Sequence, residues 1–214
     1  MGLQIGLGSR IRKSPFFDAL VRHGLTHVTV YNHMYMPGSF GDPDEEYRAL
    51  VERVSLWDVA CERQVEVVGP DAFELCRYVS ARDLRGMAVG RVRYAPMCDH
   101  DGILINDPMV LKLAEDRFWI SIADSDVLLW CQAVGAERGL DCRVFEPDVS
   151  PLAVQGPRAD DTMADLLGEW VRDVPFFGFV ETSHDGIPFV LCRSGWSGQG
   201  GFELFLQDGS RGLA

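Results

Sequence analysis

Glu66-Val67-Val68-Gly69-Pro70-Asp71-Ala72 and Leu152-Ala153-Val154-Gln155-Gly156-Pro157-Arg158-Ala159 share one sequence of events: strand residues, a Gly-Pro step, then the start of a helix. In the first copy Val65 and Val67 alternate with Gln64 and Glu66, the period-two pattern of a half-buried strand over residues 62–68. Gly69 and Pro70 end it, and Pro70 suits a first helical turn, where its missing N–H costs nothing. Phe73, Cys76 and Val79 then recur at threefold spacing, which predicts a helix to about Ser80. Downstream, apolar residues 103–113 and 118–122 flank Ala114-Glu115-Asp116 as a hairpin, with a further strand over 92–96. Val127, Cys131 and Val134 mark one face of a helix capped by Asp124 or Ser125 and stopped at Gly139, and residues 140–145 close the unit as a strand. The order strand, helix, hairpin, helix, strand is a split β-α-β pattern in an α+β protein.

From Leu152 the pattern begins again, with a helix to about Leu167, strands over 177–182 and 187–192 around the turn His184-Asp185-Gly186, and a strand over 201–207. Two explanations fit: an internal repeat, or a Gly-Pro step that recurs at helix starts. Residues 208–214 resemble the entry to a helix, so the second unit lacks its last helix and strand and the sequence reads as an N-terminal fragment. The segment before residue 62 reads as an irregular opening.

Composition excludes several classes. The 214 residues carry 20 Lys+Arg against 32 Asp+Glu, a formal charge of −12, which argues against a nucleic-acid surface. No run of roughly 18 apolar residues occurs, and the first residues lack the pattern of an export signal. A cytoplasmic protein with no membrane partner is expected. Six scattered cysteines without a C-x-x-C pair favour reduced, mostly buried thiols. The five histidines show no metal-ligand spacing, Gly6-Leu7-Gly8 is too short for a dinucleotide loop, and no P-loop or G-x-S-x-G motif appears.

Two stretches carry candidate chemistry. In Asp101-Gly102-Ile103-Leu104-Ile105-Asn106-Asp107-Pro108 a carboxylate and an amide interrupt an apolar strand pair. Asp107 there is either a functional acid or base in a low-dielectric setting or the cap of a backbone N–H at a bulge. In Arg193-Ser194-Gly195-Trp196-Ser197-Gly198-Gln199-Gly200-Gly201-Phe202-Glu203 the glycines allow close backbone approach, Trp196 offers a π face and Glu203 an acceptor; the alternative is a plain Gly-rich surface loop.

These stretches resemble the folate-dependent aminomethyltransferases, the glycine-cleavage T-protein and its relatives. Ser55-Leu56-Trp57-Asp58-Val59-Ala60 through Gln64 to Ala72 is similar to the family's G-L-F-D-V-S-x-x-G-Q-V-E-V-x-G-P-D-A, and residues 102–110 to its G-G-I-x-D-D-L-x-V. Residues 152–158 resemble its L-A-L-Q-G-P-K and residues 194–204 its G-Y-T-G-E-D-G-F-E-L. Departures such as Tyr31-Asn32-His33-Met34, Ala60-Cys61-Glu62-Arg63-Gln64, Arg93-Tyr94-Ala95-Pro96, Asn106-Asp107-Pro108, the segment from Trp119 to Asp126, and Ser194-Gly195-Trp196-Ser197 resemble the branch that demethylates dimethylsulfoniopropionate.

The resemblance implies two split β-α-β units around a central folate channel, residues 1–50 with 148–214 forming one domain and 51–147 the inserted second. A C-terminal barrel would lie beyond this sequence. It implies methyl transfer from sulfonium sulfur to N5 of tetrahydrofolate, giving methylmercaptopropionate, in a homodimer. Asp107 matches the family aspartate near N5, while Asn106 stands where the family has its first aspartate and sets a two-carboxylate scheme in question. Glu203 matches the pterin-binding glutamate, and Ser121 falls where the T-protein has asparagine, in reach of substrate or pterin. Trp196, Tyr94 and Tyr31 become candidate aromatic walls for the sulfonium, Trp196 and Tyr94 also for the cofactor. Phe177 would flank the pterin, and Arg193 is offered to the substrate carboxylate. Alternatives within the family are an aminomethyltransferase or an N-methyl demethylase acting on dimethylglycine or sarcosine, against which Trp196, Gln199 and Gly200 count, and a non-catalytic folate-binding relative.

Overall fold

A computed structural model describes residues 8–212. Gly6 and Leu7 of the opening, and the last two residues of the expected helix entry, lie outside the described residues. The described residues before 62 include helix α1 (Phe17–Arg22), hairpin strands β1 (His27–Tyr31) and β2 (Met34–Ser39), helix α2 (Pro43–Glu52) and strand β3 (Ser55–Asp58). The expectation of an irregular opening is thus corrected. The hairpin turns on Asn32 and His33, both at positive φ (52° and 60°), which is a tight-turn signal less legible than Asn-Gly. Asp42 caps α2 by accepting from the N–H groups of Asp44 and Glu45, with Pro43 in the first turn.

Next come β4 (Gln64–Val68), α3 (Ala72–Val79), β5 (Arg91–Tyr94), the short pair β6 (Met97–Cys98) and β7 (Leu104–Asn106), β8 (Met109–Ala114), β9 (Arg117–Ser121), α4 (Val127–Glu137) and β10 (Arg143–Phe145). Five of these strands form an antiparallel sheet ordered β10-β4-β9-β8-β5. One face is covered by α3 and α4, where Val65, Val67, Val110, Phe118 and Ile120 pack on Leu75, Cys76, Val79, Val127 and Cys131. Asp126 holds the N-cap position of α4 without a side-chain bond. Neither Asp124 nor Ser125 caps the helix as expected, because Asp124 accepts from the Asn32 N–H and the Ser125 hydroxyl accepts from the Asn106 amide.

The second half contributes β11 (Ser150–Gln155), α5 (Ala159–Leu167), β12 (Phe179–His184), β13 (Ile187–Cys192) and β14 (Gly201–Leu206), and one 3-10 turn at Gly209–Arg211 follows. Asp185 and Gly186, both at positive φ, close the expected hairpin between β12 and β13. The second sheet is ordered β12-β13-β14-β11-β3. Its edge strand comes from the front of the chain: β3 lies antiparallel to β11, with Leu152 opposite Asp58 and Gln155 opposite Ser55. That is the place β10 holds beside β4, and α2 precedes β3 as α4 precedes β10. The strand and helix expected to be missing from this sheet are therefore supplied by α2 and β3, and sheet membership changes between Asp58 and Gln64 rather than at residue 50.

The two Gly-Pro steps make the same contact. A Cβ on Gly69 (φ 135°) would meet the Asp141 carbonyl oxygen at 2.8 Å, and one on Gly156 (φ 131°) would meet the Arg53 carbonyl oxygen at 2.6 Å. Two residues on, the Asp71 N–H donates to Asp141 O at 3.1 Å and the Arg158 N–H to Arg53 O at 2.9 Å. Only glycine lets the strand end press on the segment leading into the neighbouring edge strand.

The sheets stack by the faces not covered by helices. Val92, Leu111, Leu113 and Trp119 of the first meet Phe179, Val190, Cys192 and Phe205 of the second. Backbone bonds from Val92 N–H to Phe177 O (2.9 Å) and from Phe179 N–H to Gly90 O (3.0 Å) stitch them along the β5 edge. Among the described residues no helix is long and apolar enough to cross a membrane.

Candidate active site

Registers place the polar residues of the inner faces in facing rows. On the first sheet Gln64 lies opposite Ser121, Ser121 opposite Met109, and Met109 opposite Tyr94. On the second, Trp57 lies opposite Ala153, Ala153 opposite Glu203, Glu203 opposite Cys192, and Cys192 opposite Phe179. Glu203 and Phe205 share the face turned to the first sheet, since Phe202 and Leu204 pack with α5 on the other.

Asp107 sits just before β8 and is exposed, so the low-dielectric setting expected for it is corrected. Its carboxylate accepts from the Tyr94 hydroxyl at 2.9 Å, and that bond is the main reason the Tyr94 pKa is raised. The backbone-capping duty that was the alternative for Asp107 falls to its neighbour. Asn106, only 3% exposed, donates to Ala123 O (3.0 Å) and to the Ser125 hydroxyl (2.7 Å) and accepts from the Ala123 N–H (3.0 Å). Asn106 is thus a clamp between β7 and the end of β9, and it leaves Asp107 free to face the site.

Ser121 is buried and accepts from the Gln64 side-chain amide at 2.9 Å, which leaves its hydroxyl proton for another acceptor. Gln64, 1% exposed, also donates to the Glu62 carbonyl at 2.7 Å, while its own Oε1 has no partner. Across the gap Glu203 is buried and takes a bond from the Ser194 hydroxyl. Burial pushes the Glu203 carboxyl above its ordinary range, partly offset by Ser194.

Sequence reasoning missed Glu62, in the turn between β3 and β4. Burial pushes its carboxyl up to about 8, and the charges of Glu203 and Asp107 add to the shift. The one sequence signal was its place two residues before Gln64, since Glu62 lies in the turn and not on the strand. Tyr31 stands nearby: burial raises its hydroxyl pKa, and Glu62 and Asp124 are among the charges acting on it. Its ring packs with the cluster of Ala60 and Cys61.

The other candidates fall elsewhere. Trp196 is 88% exposed on the glycine-rich loop and forms no wall of the inter-sheet space. That loop is anchored beneath it, through the Ser197 hydroxyl on Gln155 Oε1 at 2.7 Å. Phe177 lies at the margin of the inter-sheet core and stacks on Phe176 with centroids 4.3 Å apart. Arg193 is committed to Asp160 at 2.6 Å and lies over the Phe202 ring on the α5 side, which corrects its offer to a substrate carboxylate. Arg63 and Arg117 are likewise engaged, by Glu146 and Glu66.

The family profile for the GCVT N-terminal domain matches residues 16–212. The chain is 46% identical over 204 residues to the dimethylsulfoniopropionate demethylase DmdA of Ruegeria pomeroyi, covering 95% of this chain and 56% of that protein. It is 29% identical over 210 residues to an aminomethyltransferase of Symbiobacterium thermophilum, covering 94% and 56%. The crystal structure of glycine cleavage system aminomethyltransferase T from Bartonella henselae superimposes with a TM-score of 0.81 at 25% identity, over 95% of this chain and 56% of that one. The chain spans a little over half the length of the curated relatives it matches. With its fold, its motifs and the profile in agreement over nearly all described residues, the chain belongs to the GCVT aminomethyltransferase family.

Proposed function

We propose that this chain forms the folate-facing part of a tetrahydrofolate-dependent demethylase of dimethylsulfoniopropionate, with each sheet the core of a split β-α-β unit and the folate lying between them. The supporting observation is the inter-sheet site itself, where Asp107, Glu203 and Glu62 face a common space while Arg63, Arg117 and Arg193 are paired elsewhere. Acceptors without a cationic partner suit a positively charged methyl donor and a pterin rich in N–H groups. The higher identity to the sulfonium demethylase than to the aminomethyltransferase points the same way. The donor set fits tetrahydrofolate: Glu203 keeps an oxygen beyond the one engaged by Ser194, and Gln64 Oε1 lacks a donor.

Tetrahydrofolate, when bound, supplies N5 as the nucleophile that takes the methyl group. Glu203 holds the pterin by accepting from its ring N–H groups. Asp107, steadied by Tyr94, stabilises the positive charge that develops on N5 and accepts the proton that leaves it. The S–CH3 electron pair stays on sulfur, so methylmercaptopropionate leaves as a neutral thioether bearing its carboxylate. Ser121 donates its free hydroxyl proton to substrate or pterin, and Tyr31 and Tyr94 offer ring faces to the sulfonium. Holding sulfur, methyl and N5 in line can account for on the order of 7–11 kcal/mol of the barrier. The cation-binding groups serve recognition more than rate, because stabilising the ground-state sulfonium opposes its loss of charge. Phe177 flanks the pterin from the β5 edge.

The deciding experiment is turnover by the protein expressed from its complete reading frame, with tetrahydrofolate and dimethylsulfoniopropionate, dimethylglycine or sarcosine. Appearance of 5-methyltetrahydrofolate and thioether with the sulfonium alone is the expected result. Product from an amine overturns the substrate assignment, and folate binding without any turnover overturns the catalytic one.

A further inference from the structure

Glu62 was given no role by the sequence and has none in the mechanism above, yet the charges of Glu203 and Asp107 both act on it. Gln64 pairs with Ser121 at the start of β4, and the Ile122 N–H donates to the Arg63 carbonyl at 3.1 Å, so the pairing continues past the strand's end. Two residues upstream of Gln64, in the turn closed by its own N–H on Val59 O, Glu62 lies near the end of β9, where the charges of Glu203 and Asp107 act on it. From the other side Met109 pairs with Ser121, which brings Asp107 beside Ala123, where Asn106 fixes the backbone. The two carboxylates thus approach the end of β9 from its two neighbouring strands.

The surroundings offer Glu62 acceptors rather than donors. Its main-chain groups are used, the N–H by Val59 O and the carbonyl by Gln64, but no described residue donates to its half-buried carboxyl group. The charges that act on it are Glu203 from β14 and Asp107 from the start of β8, both of its own sign. On the same row Gln64 Oε1 is buried without a donor. Carboxylates gathered at one site repel one another unless an opposite charge joins them. A sulfonium or quaternary ammonium brings that charge without needing hydrogen-bond geometry.

We infer that Glu62 is the counter-charge of the methyl donor, a specificity-determining carboxylate that, opposite Asp107, seats a cationic group and selects it over the neutral product. This deepens the demethylase reading and rests on it for the identity of the cation, though not for its charge. A proton linkage follows. Glu62 titrates at about 8 among Glu203 (β14), Asp107 (before β8), Tyr31 (β1) and Cys61 on its own segment, with Asp124 beside Tyr31. Near neutral pH it holds a proton in the free protein, and a cation that needs the carboxylate expels that proton to buffer. Affinity for a cation therefore rises with pH until Glu62 is ionised in the free protein, while affinity for a neutral thioether does not.

The test is calorimetric titration of the protein from its complete reading frame with dimethylsulfoniopropionate and with methylmercaptopropionate, from about pH 6.5 to 9. Wild type, Glu62→Gln and Glu62→Asp are compared, with tetrahydrofolate binding measured in each to show an intact site. In wild type the sulfonium affinity is expected to rise close to tenfold per pH unit below about 8, with proton release that scales with buffer ionisation heat. Glu62→Gln should remove the rise and weaken sulfonium binding at least tenfold at high pH, leaving thioether binding unchanged, and Glu62→Asp should restore part of the slope. A Glu62→Gln protein that keeps both the slope and the affinity overturns the inference. So does a wild type that binds thioether and sulfonium equally at every pH. A carboxylated quaternary ammonium separates the two readings: a Glu62-dependent rise for it, with no methyl transfer from the sulfonium, would uphold the charge assignment and sink the demethylase.

Discussion

Replacing Asn106 with aspartate restores the residue type that the family resemblance places there, and the structure says that it should cost stability. The side chain is 3% exposed, and its amide donates to Ala123 O at 3.0 Å and to the Ser125 hydroxyl at 2.7 Å. A carboxylate cannot donate to either. The Ser125 hydroxyl can turn and donate instead, so that contact survives. The Ala123 carbonyl cannot; it keeps the Asn32 amide as a donor at 2.9 Å but faces a desolvated negative charge. One lost bond at about 1 kcal/mol and a buried, opposed acceptor at about 1–3 kcal/mol give roughly 2–4 kcal/mol. In a chain of this size that lowers the melting temperature by roughly 4–16 °C.

The pH dependence separates this account from a generic packing defect. An aspartic acid at position 106 has its folded pKa raised by burial and by the carbonyl, so the folded state holds the proton more tightly than the unfolded chain. Stability is then recovered as pH falls through the folded value towards the unfolded value of about 3.9. The neutral acid can again donate to Ala123 O. Thermal melts of Asn106→Asp and wild type at about pH 7 and pH 5 should show a clearly smaller deficit at the lower pH. A variant that melts like wild type at pH 7, or shows one deficit at both pH values, would refute the clamp assigned to Asn106.

Asp107→Asn should slow methyl transfer by about 10²–10⁴-fold with tetrahydrofolate binding retained, as single-turnover kinetics would show, and loss of folate binding instead would remove its proton-accepting role. Burial raises Glu62 to about 8 and lifts Glu203 as well, so the folded state binds extra protons and stability should fall as pH rises from about 4.5 towards 8; melts of Glu62→Gln should show a flatter fall, and an unchanged profile would count against the buried carboxyl. Gly69→Ala and Gly156→Ala each force a Cβ against a backbone carbonyl at positive φ and should destabilise by about 2–4 kcal/mol in denaturant titrations, whereas an effect at one site only would break the equivalence of the two turns. Trp196→Ala should leave both the melting temperature and substrate affinity unchanged, given its 88% exposure outside the inter-sheet space; a weakened affinity would bring it into the site.

Periodicity revealed the first sheet because its helix face is made of alternating Val65, Val67, Phe118 and Ile120, a pattern that local chemistry writes directly into the chain. The front of the chain was illegible for the opposite reason. Its hairpin strand β1 has no fully buried residue, its turn uses Asn32-His33, and β3 alternates against a partner almost a hundred residues away. A four-residue strand has no period long enough to read. That the second sheet would borrow it could be seen only in the pairing of Leu152 with Asp58. The candidate site divides along the same line. Asp107 and Glu203 were found because they match a family motif, while Arg193 was misplaced because nothing local shows that Asp160 on α5 claims it.

Alternation itself carries an ambiguity that this fold makes concrete. Gln64 and Glu66 occupy the polar positions of β4, which read as the water-facing side of a half-buried strand, yet they are only 1% and 6% exposed. Their face is covered by a second sheet rather than by solvent. Glu66 meets that burial by accepting from Arg117 at 2.9 Å and from the Trp119 indole at 2.8 Å, so it is a structural acceptor. Gln64 is left with a buried, unpartnered oxygen, and Glu62, in the turn just before the strand, with a half-buried carboxyl that no described residue donates to. From Glu66 to Gln64 to the turn at Glu62, the polar groups pass from fully satisfied, to buried with one orphaned oxygen, to half-buried with no protein donor. Cores satisfy their buried polar atoms, so a gradient of this kind marks where the packed interior gives way to a surface made for a ligand.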